Sequence, residues 1–334
     1  MEMGSYVIVK KKIALYLNPK VLNWVFNLKR FAMPVSRRIF VKNSTMTVAG
    51  AALFSKTLFT SKKNKTITGI QLYSIRDDMK KDPSGTLKTL ADMGYKYVEH
   101  ANYVDRKFYG YSPVEFKKLL VGLGLQMKSG HTVMNAKSWD ESKNEFTDLW
   151  KYTVEDAAVV GQQYVISPWL DENYRKDIDG LKRFLAVFNK SGELCKKSGM
   201  KFGYHNHNFE FNTIVDGMRL YDIILKETNP DLVIQQMDMG NMYGAGGRPL
   251  ELLKQYPGRF ASLHVKDEIQ NDKGSMNGYE STVLGTGIIQ VKDVLDLAVK
   301  QGTTHLIIEQ ESYQGKAPLD CAKADLQIMK KWGY

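Results

Sequence analysis

The 334-residue sequence predicts an α/β protein, a single (β/α)8 TIM barrel preceded by a targeting segment. Three observations predict it. From Ile67 onward, short apolar runs alternate eight times with longer amphipathic stretches, the pattern of a parallel sheet wound with helices. Eight such units fill residues 67–334, close to the ~250 residues typical of this barrel. No Pro-, Gly- or Ser-rich linker divides them, so the stretch reads as one domain. A doubly wound open sheet is the structural alternative. Against it, the first strand runs into Tyr73-Ser74-Ile75-Arg76-Asp77-Asp78, with no glycine-rich phosphate turn.

In chain order, strands are expected at Thr68–Leu72, Tyr97–Glu99, Gln126–Ser129, Tyr164–Ile166, Lys201–Tyr204, Leu232–Met237, Phe260–Val265 and His305–Glu309. Helical patterns lie between them at Ser84–Met93, Pro113–Leu120, Trp139–Val160, Lys176–Ser198, Met218–Lys226, Leu250–Tyr256 and Val291–Gln301. A last helix, Leu319–Lys331, closes the chain. In such a barrel the chemistry sits at the C-terminal ends of the strands and on the loops that follow.

Composition narrows the function. With 43% hydrophobic and 25% charged residues, the chain is not disordered, collagen-like or a polytopic membrane protein. Its net charge of +11 is unevenly placed. Residues 1–65 hold 13 of the 47 Lys and Arg and one acid, Glu2, whereas the remainder carries 34 basic and 35 acidic groups. A neutral body gives no reason to expect the basic stripe of a nucleic-acid binder.

The basic segment reads as an address. Ser36-Arg37-Arg38-Ile39-Phe40-Val41-Lys42 precedes the short apolar run Met46–Phe54, which is well below the ~20 residues a membrane-spanning helix needs. It resembles a twin-arginine export signal. The resemblance implies a leader over residues 1–66, with Met33 as a candidate true start, and a barrel over 67–334 delivered to the periplasm. The protein is then either released there or held at the membrane by an uncleaved leader. Cys195 and Cys321 fall in the outer helices of the fourth and eighth units, beyond the ~7 Å reach of a disulfide, and read as buried thiols.

All six histidines fall at strands, five of them at C-terminal ends. His305, at the start of the eighth strand, is the exception and reads as a packing or capping residue. Imidazoles and carboxylates drawn from adjacent strands suit one catalytic divalent cation, Mn²⁺, Co²⁺, Zn²⁺ or Mg²⁺. His205 to Asp238 is 33 residues and Asp238 to His264 is 26, each about one βα unit. His264 to Glu309 is 45, one unit plus an insertion within Glu268–Gly287. Taken singly, an Asp before Gly or a lone strand-end Glu is more often a cap or turn. Four in register on consecutive strands are a ligand set.

The segments Phe202-Gly203-Tyr204-His205-Asn206-His207, Asp238-Met239-Gly240-Asn241, Tyr256-Pro257-Gly258-Arg259-Phe260, Leu263-His264-Val265-Lys266-Asp267, Leu284-Gly285-Thr286-Gly287-Ile288 and Ile308-Glu309-Gln310 resemble the xylose isomerase-like TIM-barrel superfamily. That group includes sugar phosphate isomerase/epimerases, ketose 3-epimerases, inosose dehydratases and endonuclease IV. The resemblance implies metal ligands at His205, Asp238, His264 and Glu309. Two positions depart from it. His205 stands where ketose 3-epimerases carry a proton-moving Glu, and Asn241 stands where many relatives have His.

The expected chemistry is proton abstraction beside a sugar carbonyl, through an enediolate that a Lewis-acidic metal stabilises. His131, expected to approach from across the mouth, is the favoured base; His207 and Glu309 are the alternatives. Lys266 is expected either to pair with an oxyanion or to form a salt bridge with Asp267 or Glu311. Gln71, Glu99, Trp169 and Asn241 are the expected substrate contacts, with Glu99 alternatively orienting a ligand histidine. Isomerisation or epimerisation comes first as the activity, and β-elimination from a 3-keto-glycoside second. The expected partner molecule is a small sugar or glycoside, with no nucleic acid and no stable membrane span. A second copy of the chain and an oxidoreductase that makes the ketone are candidate protein partners. A non-catalytic sugar-binding barrel, keeping Tyr73, Trp169, Tyr243 and Tyr313, and a nuclease are the readings from other classes.

Overall fold

The computed structural model describes residues 66–272, 274 and 278–334. The expected leader, including Arg37-Arg38, lies outside the described residues. Eight parallel strands close into a barrel in sequence order: β1 (Ile67–Gln71), β2 (Tyr97–His100), β3 (Gln126–His131), β4 (Tyr164–Ser167), β5 (Lys201–His205), β6 (Val233–Asp238), β7 (Phe260–Val265) and β8 (His305–Ile308). β1 pairs with both β2 and β8, which completes the ring. The strands read as nearly continuous buried runs, β6 buried along its whole length, because both faces of a barrel strand are covered. The barrel is the fold that the alternation of apolar runs predicts, and each strand lies within two residues of its expected bounds.

Two bulges matter for the site. The β2–β3 register shifts between Val98 and Glu99, and the β6–β7 register shifts between Gln235 and Gln236. A bulge re-aims the side chain that follows it. Both shifts fall at residues that turn out to lie under the site.

Two expected helices begin later than their patterns suggest, and the expected insertion after β7 is a hairpin. The helix expected from Trp139 begins at Asp148, because Trp139–Asp140 and Glu145–Phe146 pair as a small hairpin. Its turn is held by the Asp140 carboxylate accepting from the backbone N–H groups of Ser142 and Lys143, and by Asn144 at φ +53°. Met218–Arg219 is likewise the return strand of a hairpin with Ile214–Val215, and the helix starts at Leu220. Asp216 and Gly217 both take positive φ there, the conformation of a two-residue hairpin turn. The insertion after β7 pairs Asp267–Gln270 with Tyr279–Thr282. Among the described residues, no helix is long and apolar enough to cross a membrane. Cys195 and Cys321 are buried free thiols on the helices Ile178–Lys197 and Pro318–Trp332.

Candidate metal centre

Side chains on one face of a strand recur every second residue, about 6.6 Å apart along it. Three strands use that period to send two polar side chains into the barrel mouth: Ser129 and His131 from β3, Gln236 and Asp238 from β6, Ser262 and His264 from β7. The result is two layers. The upper holds His131, Asp238 and His264 with His205 from the end of β5 and Glu309 just past β8. The lower holds Ser129, Gln236 and Ser262 with Gln71 and Glu99 from β1 and β2.

In the upper layer, donor atoms of Asp238, His264 and Glu309 lie within 4.8 Å of one another, as do those of His131, His205 and His264. His264 Nδ1 is 2.8 Å from Glu309 Oε2 and 3.8 Å from Asp238 Oδ2. His205 Nε2 is 3.7 Å from the same Asp238 oxygen. Ligand atoms bound at ~2.0–2.1 Å around one tetrahedral ion stand roughly 3.3 Å apart, so this spacing suits a shared cation. Asp238 Oδ2 supports the fit. It is buried and, although 3.0 Å from Lys266 Nζ, takes no well-directed hydrogen bond.

Charge supports the fit as well. Asp238, Glu309 and Glu311 converge on the single ammonium of Lys266, at 3.0, 2.8 and 2.5 Å. Burial opposes a proton on His264, yet the Glu309 and Glu99 carboxylates outweigh it and push the imidazole well above its ordinary range. A proton there neutralises part of an acid excess that a divalent cation would neutralise more fully. Burial lifts the Glu309 carboxyl, but Lys266 and His264 overcome it and hold it well below the usual range.

The lower layer fixes which nitrogen each ligand histidine presents. Glu99, fully buried, accepts from His264 Nε2 at 2.6 Å, Gln71 Nε2 at 2.9 Å, Gln236 Nε2 at 3.0 Å and the Ser129 hydroxyl. Burial raises this carboxyl; His131 and His264 nevertheless bring it down to about 2. Gln236 Oε1 accepts from His205 Nδ1 at 3.0 Å and His131 Nε2 at 2.7 Å. His264 is thereby left with Nδ1, and His205 with Nε2, on the ligand side. A carboxylate or amide behind each ligand imidazole is what sets tautomer and orientation in metal sites.

The remaining sequence-predicted residues are placed as follows. His131 reaches in from β3, opposite β7 in the ring, but it does not stand apart from the ligands: its ring stacks on His264 at 5.0 Å and lies tilted 4.8 Å from that of His205. With Nε2 donating to Gln236, its remaining acceptor is Nδ1. His207 Nδ1 is buried without a hydrogen-bond partner, and burial lowers that ring to about 4, so it is neutral near pH 7. Lys266 pairs with Glu311 and the two ligand carboxylates, not with Asp267, whose carboxylate instead accepts from the backbone N–H groups of Gly285, Gly287 and Ile289. Gln71 and Glu99 have no exposed surface and lie outside the pocket wall, so Glu99 takes the orienting position. Trp169 and Asn241 do line the cavity at the mouth, Trp169 edge-on to His207 at 5.4 Å. His100 packs against Phe108 at 4.8 Å, beside Gly130, where a Cβ would fall 1.9 Å from its ring. His305 packs on Tyr164 as expected.

Sequence reasoning missed Gln236, Ser129 and Ser262. The signal was present: a polar residue two positions before a strand-end ligand or base, inside an otherwise apolar run.

Known proteins bear on this site. The profile of the xylose isomerase-like TIM barrel family matches residues 87–332. The inosose dehydratase of Clostridium botulinum is 28% identical over 239 residues, which cover 64% of this chain and 79% of that protein. The inosose dehydratase of Clostridium perfringens is 32% identical over 181 residues, 49% of this chain, and the match spans 59% of that relative's length. A sugar phosphate isomerase/epimerase from Parabacteroides distasonis shares the fold with a TM-score of 0.69 at 23% identity, covering 80% of this chain and 94% of that one. The IolI protein with a bound zinc atom does so with a TM-score of 0.60 at 15% identity, covering 79% and 97%. With the closed eight-stranded barrel and a matching profile over most of its length, the chain belongs to the xylose isomerase-like TIM barrel family.

Proposed function

We propose that the protein is a metal-dependent lyase that eliminates a substituent β to the ketone of a cyclic polyol or sugar. The observation that carries this reading is the state of His205. With Nδ1 on Gln236 and Nε2 beside Asp238, its geometry supports a ligand's role over a proton carrier's, and a histidine at this position removes one of the pair of opposed carboxylates that would shuttle a proton between two faces. Elimination needs less: one base for the α-proton and one acid for the departing oxygen. The names of the relatives support the same reading, since dehydration beside a ketone is a β-elimination. Isomerisation or epimerisation, first on sequence alone, becomes the second reading.

His205, Asp238, His264 and Glu309 would hold one divalent cation, with Zn²⁺, Mn²⁺, Co²⁺ and Mg²⁺ all compatible with a nitrogen and oxygen donor set. Such a cation supplies Lewis-acid polarisation of the ketone oxygen, which acidifies the neighbouring C–H. His131 through Nδ1, or His207 from the cavity wall, takes that proton, a contribution of about 10²–10⁴-fold. Glu309 stands as the third candidate base. Lys266, held among three carboxylates, orients Asp238 and Glu309 and keeps the Glu309 carboxyl ionised. The substrate is uncharged: among the described residues, Arg106 is the only Lys or Arg lining the cavity and is bound to Asp156, while Asp105, Glu309 and Glu311 also line it. Among the described residues, no unpaired Lys or Arg lines the cavity to receive a phosphoryl group.

The deciding experiment incubates the Mn²⁺-loaded protein with keto-cyclitols and 3-keto-glycosides in deuterated water. Growth of a conjugated enone with loss of the β-substituent supports the lyase. Deuterated isomers with no enone would falsify it in favour of the isomerase. The Arg37-Arg38 motif supports export as the protein's route; with both replaced by Lys, cell fractionation should find the protein retained in the cytoplasm, and unchanged export overturns that reading.

A further inference from the structure

The helices Pro113–Gly122 and Asp148–Val160 follow β2 and β3, strands that pair with each other, and they lie side by side on the outside of the barrel. Each returns antiparallel to the strand before it, so the two helices run parallel, away from the mouth. Their inner faces are apolar, with Phe116 and Leu120 buried on one, and Trp150, Val154 and Ala157 on the other. Neither helix carries a residue of the metal centre.

Their outer faces repeat one pattern with opposite charge. On the first helix, Val114, the pair Lys117-Lys118, and Val121 follow at the three- and four-residue spacing that lines one helix face. On the second, Tyr152, Glu155 and Val159 do the same. Counted back from the end of each helix, the two series coincide. Val121 and Val159 are next to last, Lys117 and Glu155 lie four residues earlier, and Val114 and Tyr152 seven. Val114 and Val121, each 66% exposed, are the most exposed large apolar side chains among the described residues; Tyr152 and Val159 are each 38% exposed. The solvent face of a helix is ordinarily polar, and apolar side chains gathered on one exposed face mark a contact surface.

The charges indicate what the contact is. Lys117 and Lys118 are exposed and form no ion pair among the described residues. Glu155, its side chain 62% exposed, stands 3.7 Å from Arg106. Arg106 is itself committed elsewhere: its Nε and Nη2 donate to buried Asp156 at 3.0 and 2.7 Å, and its guanidinium lies 4.1 Å over the Tyr152 ring. Asp156 also accepts from the Tyr103 hydroxyl at 2.6 Å, so the Tyr103–Phe108 hairpin holds Tyr152 in place before any partner arrives.

We propose that this face pairs with the same face of a second copy of the chain, about a two-fold axis parallel to the helices. That axis lays the Lys117 helix of each copy along the Glu155 helix of the other, parallel and in register. Val121 then meets Val159, Lys117 and Lys118 meet Glu155, and Val114 meets Tyr152. Each contact occurs twice, as an isologous interface requires. The other two-fold arrangement, with the axis across the helices, sets each helix against its own copy and faces lysine with lysine. Charge therefore selects between the two. The apolar ends supply the affinity, because an exposed ion pair alone contributes little. Two helices packed on two helices bury about 600 Å² per copy, the low end of stable interfaces, which implies a dimer of micromolar affinity. Both barrel mouths then open on the same side.

Sedimentation velocity of the full chain from about 1 to 200 µM should follow a monomer–dimer equilibrium with its midpoint inside that range. Lys117→Glu combined with Lys118→Glu opposes acid to acid at both symmetry-related contacts, and Glu155→Lys opposes base to base. Each variant should weaken the dimer about 10-fold or more. An equimolar mixture of the two restores opposite charge at both contacts and should recover the wild-type association as a heterodimer. Val121→Asp should weaken association to a similar degree through the apolar end. Any of three results overturns the pairing: a wild-type chain that stays monomeric throughout, a dimer that none of the variants weakens, or charge variants that mixing does not rescue.

Discussion

The two sides of the barrel mouth are built by opposite means. On the β5–β8 side, the four candidate ligands sit on a strand or one residue past it and are buried, and the two ligand histidines are hydrogen-bonded to a second polar layer beneath. On the β2–β4 side, the wall is made from hairpins inserted after the strands, its side chains exposed, apolar and pinned by a single buried carboxylate, Asp156. Strands held by ladder bonds on both flanks fix a donor atom to a fraction of an ångström, which is what coordination requires. Inserted loops tolerate change in length and sequence, which suits recognition of a variable substrate group.

That contrast sets the order of expected effects. Asp238→Asn removes the carboxylate shared by both ligand histidines, so metal content measured by plasma spectrometry should fall together with turnover, by on the order of 10³-fold. A variant that keeps full metal and full rate removes Asp238 from the ligand set.

Glu99→Gln touches no substrate and should act one layer down. Metal affinity by competitive chelation should weaken about 10–100-fold, with turnover restored at saturating metal. The same variant has a pH signature once the metal is stripped. A carboxyl held at about 2 instead of 4.5 contributes stability that is fully present above 4.5 and is lost as pH falls toward 2. The amount is about 3 kcal/mol. The stripped wild type should therefore lose melting temperature steeply over that window, and the variant should not; parallel curves would remove the charge–charge account of Glu99.

The smallest effect belongs to the other side. Asp156→Asn loosens Tyr103 and Arg106 without touching the ligand layers, so melting should drop on the order of 2–4 °C. Metal affinity should stay at the wild-type value. A loss of metal in this variant would mean that the two sides are not independent.

The barrel was legible in the sequence because strand and helix announce themselves by local periodicity, and eight alternations admit few closed arrangements. The ligand candidates were legible for a related reason: His205, Asp238, His264 and Glu309 stand at strand ends about one unit apart. The hairpins at Trp139–Phe146 and Ile214–Arg219 were not, since their apolar residues also fit a helical pattern and only the turn at Asp216-Gly217 speaks against it. That the His131 ring crosses the mouth to stack on His264 was not legible either, because a strand-end side chain can point anywhere its neighbours allow.

The sequence alone determined the fold, the face of the barrel that carries chemistry and the residue types available there. Only the tertiary structure decided which nitrogen each histidine presents, that Lys266 answers three carboxylates, and that Glu99 is buried support. Those outcomes depend on bulges at Glu99 and Gln236 and on partners 28 to 165 residues away. A hydrogen bond is directional over less than an ångström, and no local pattern in a chain specifies distances of that kind between strands.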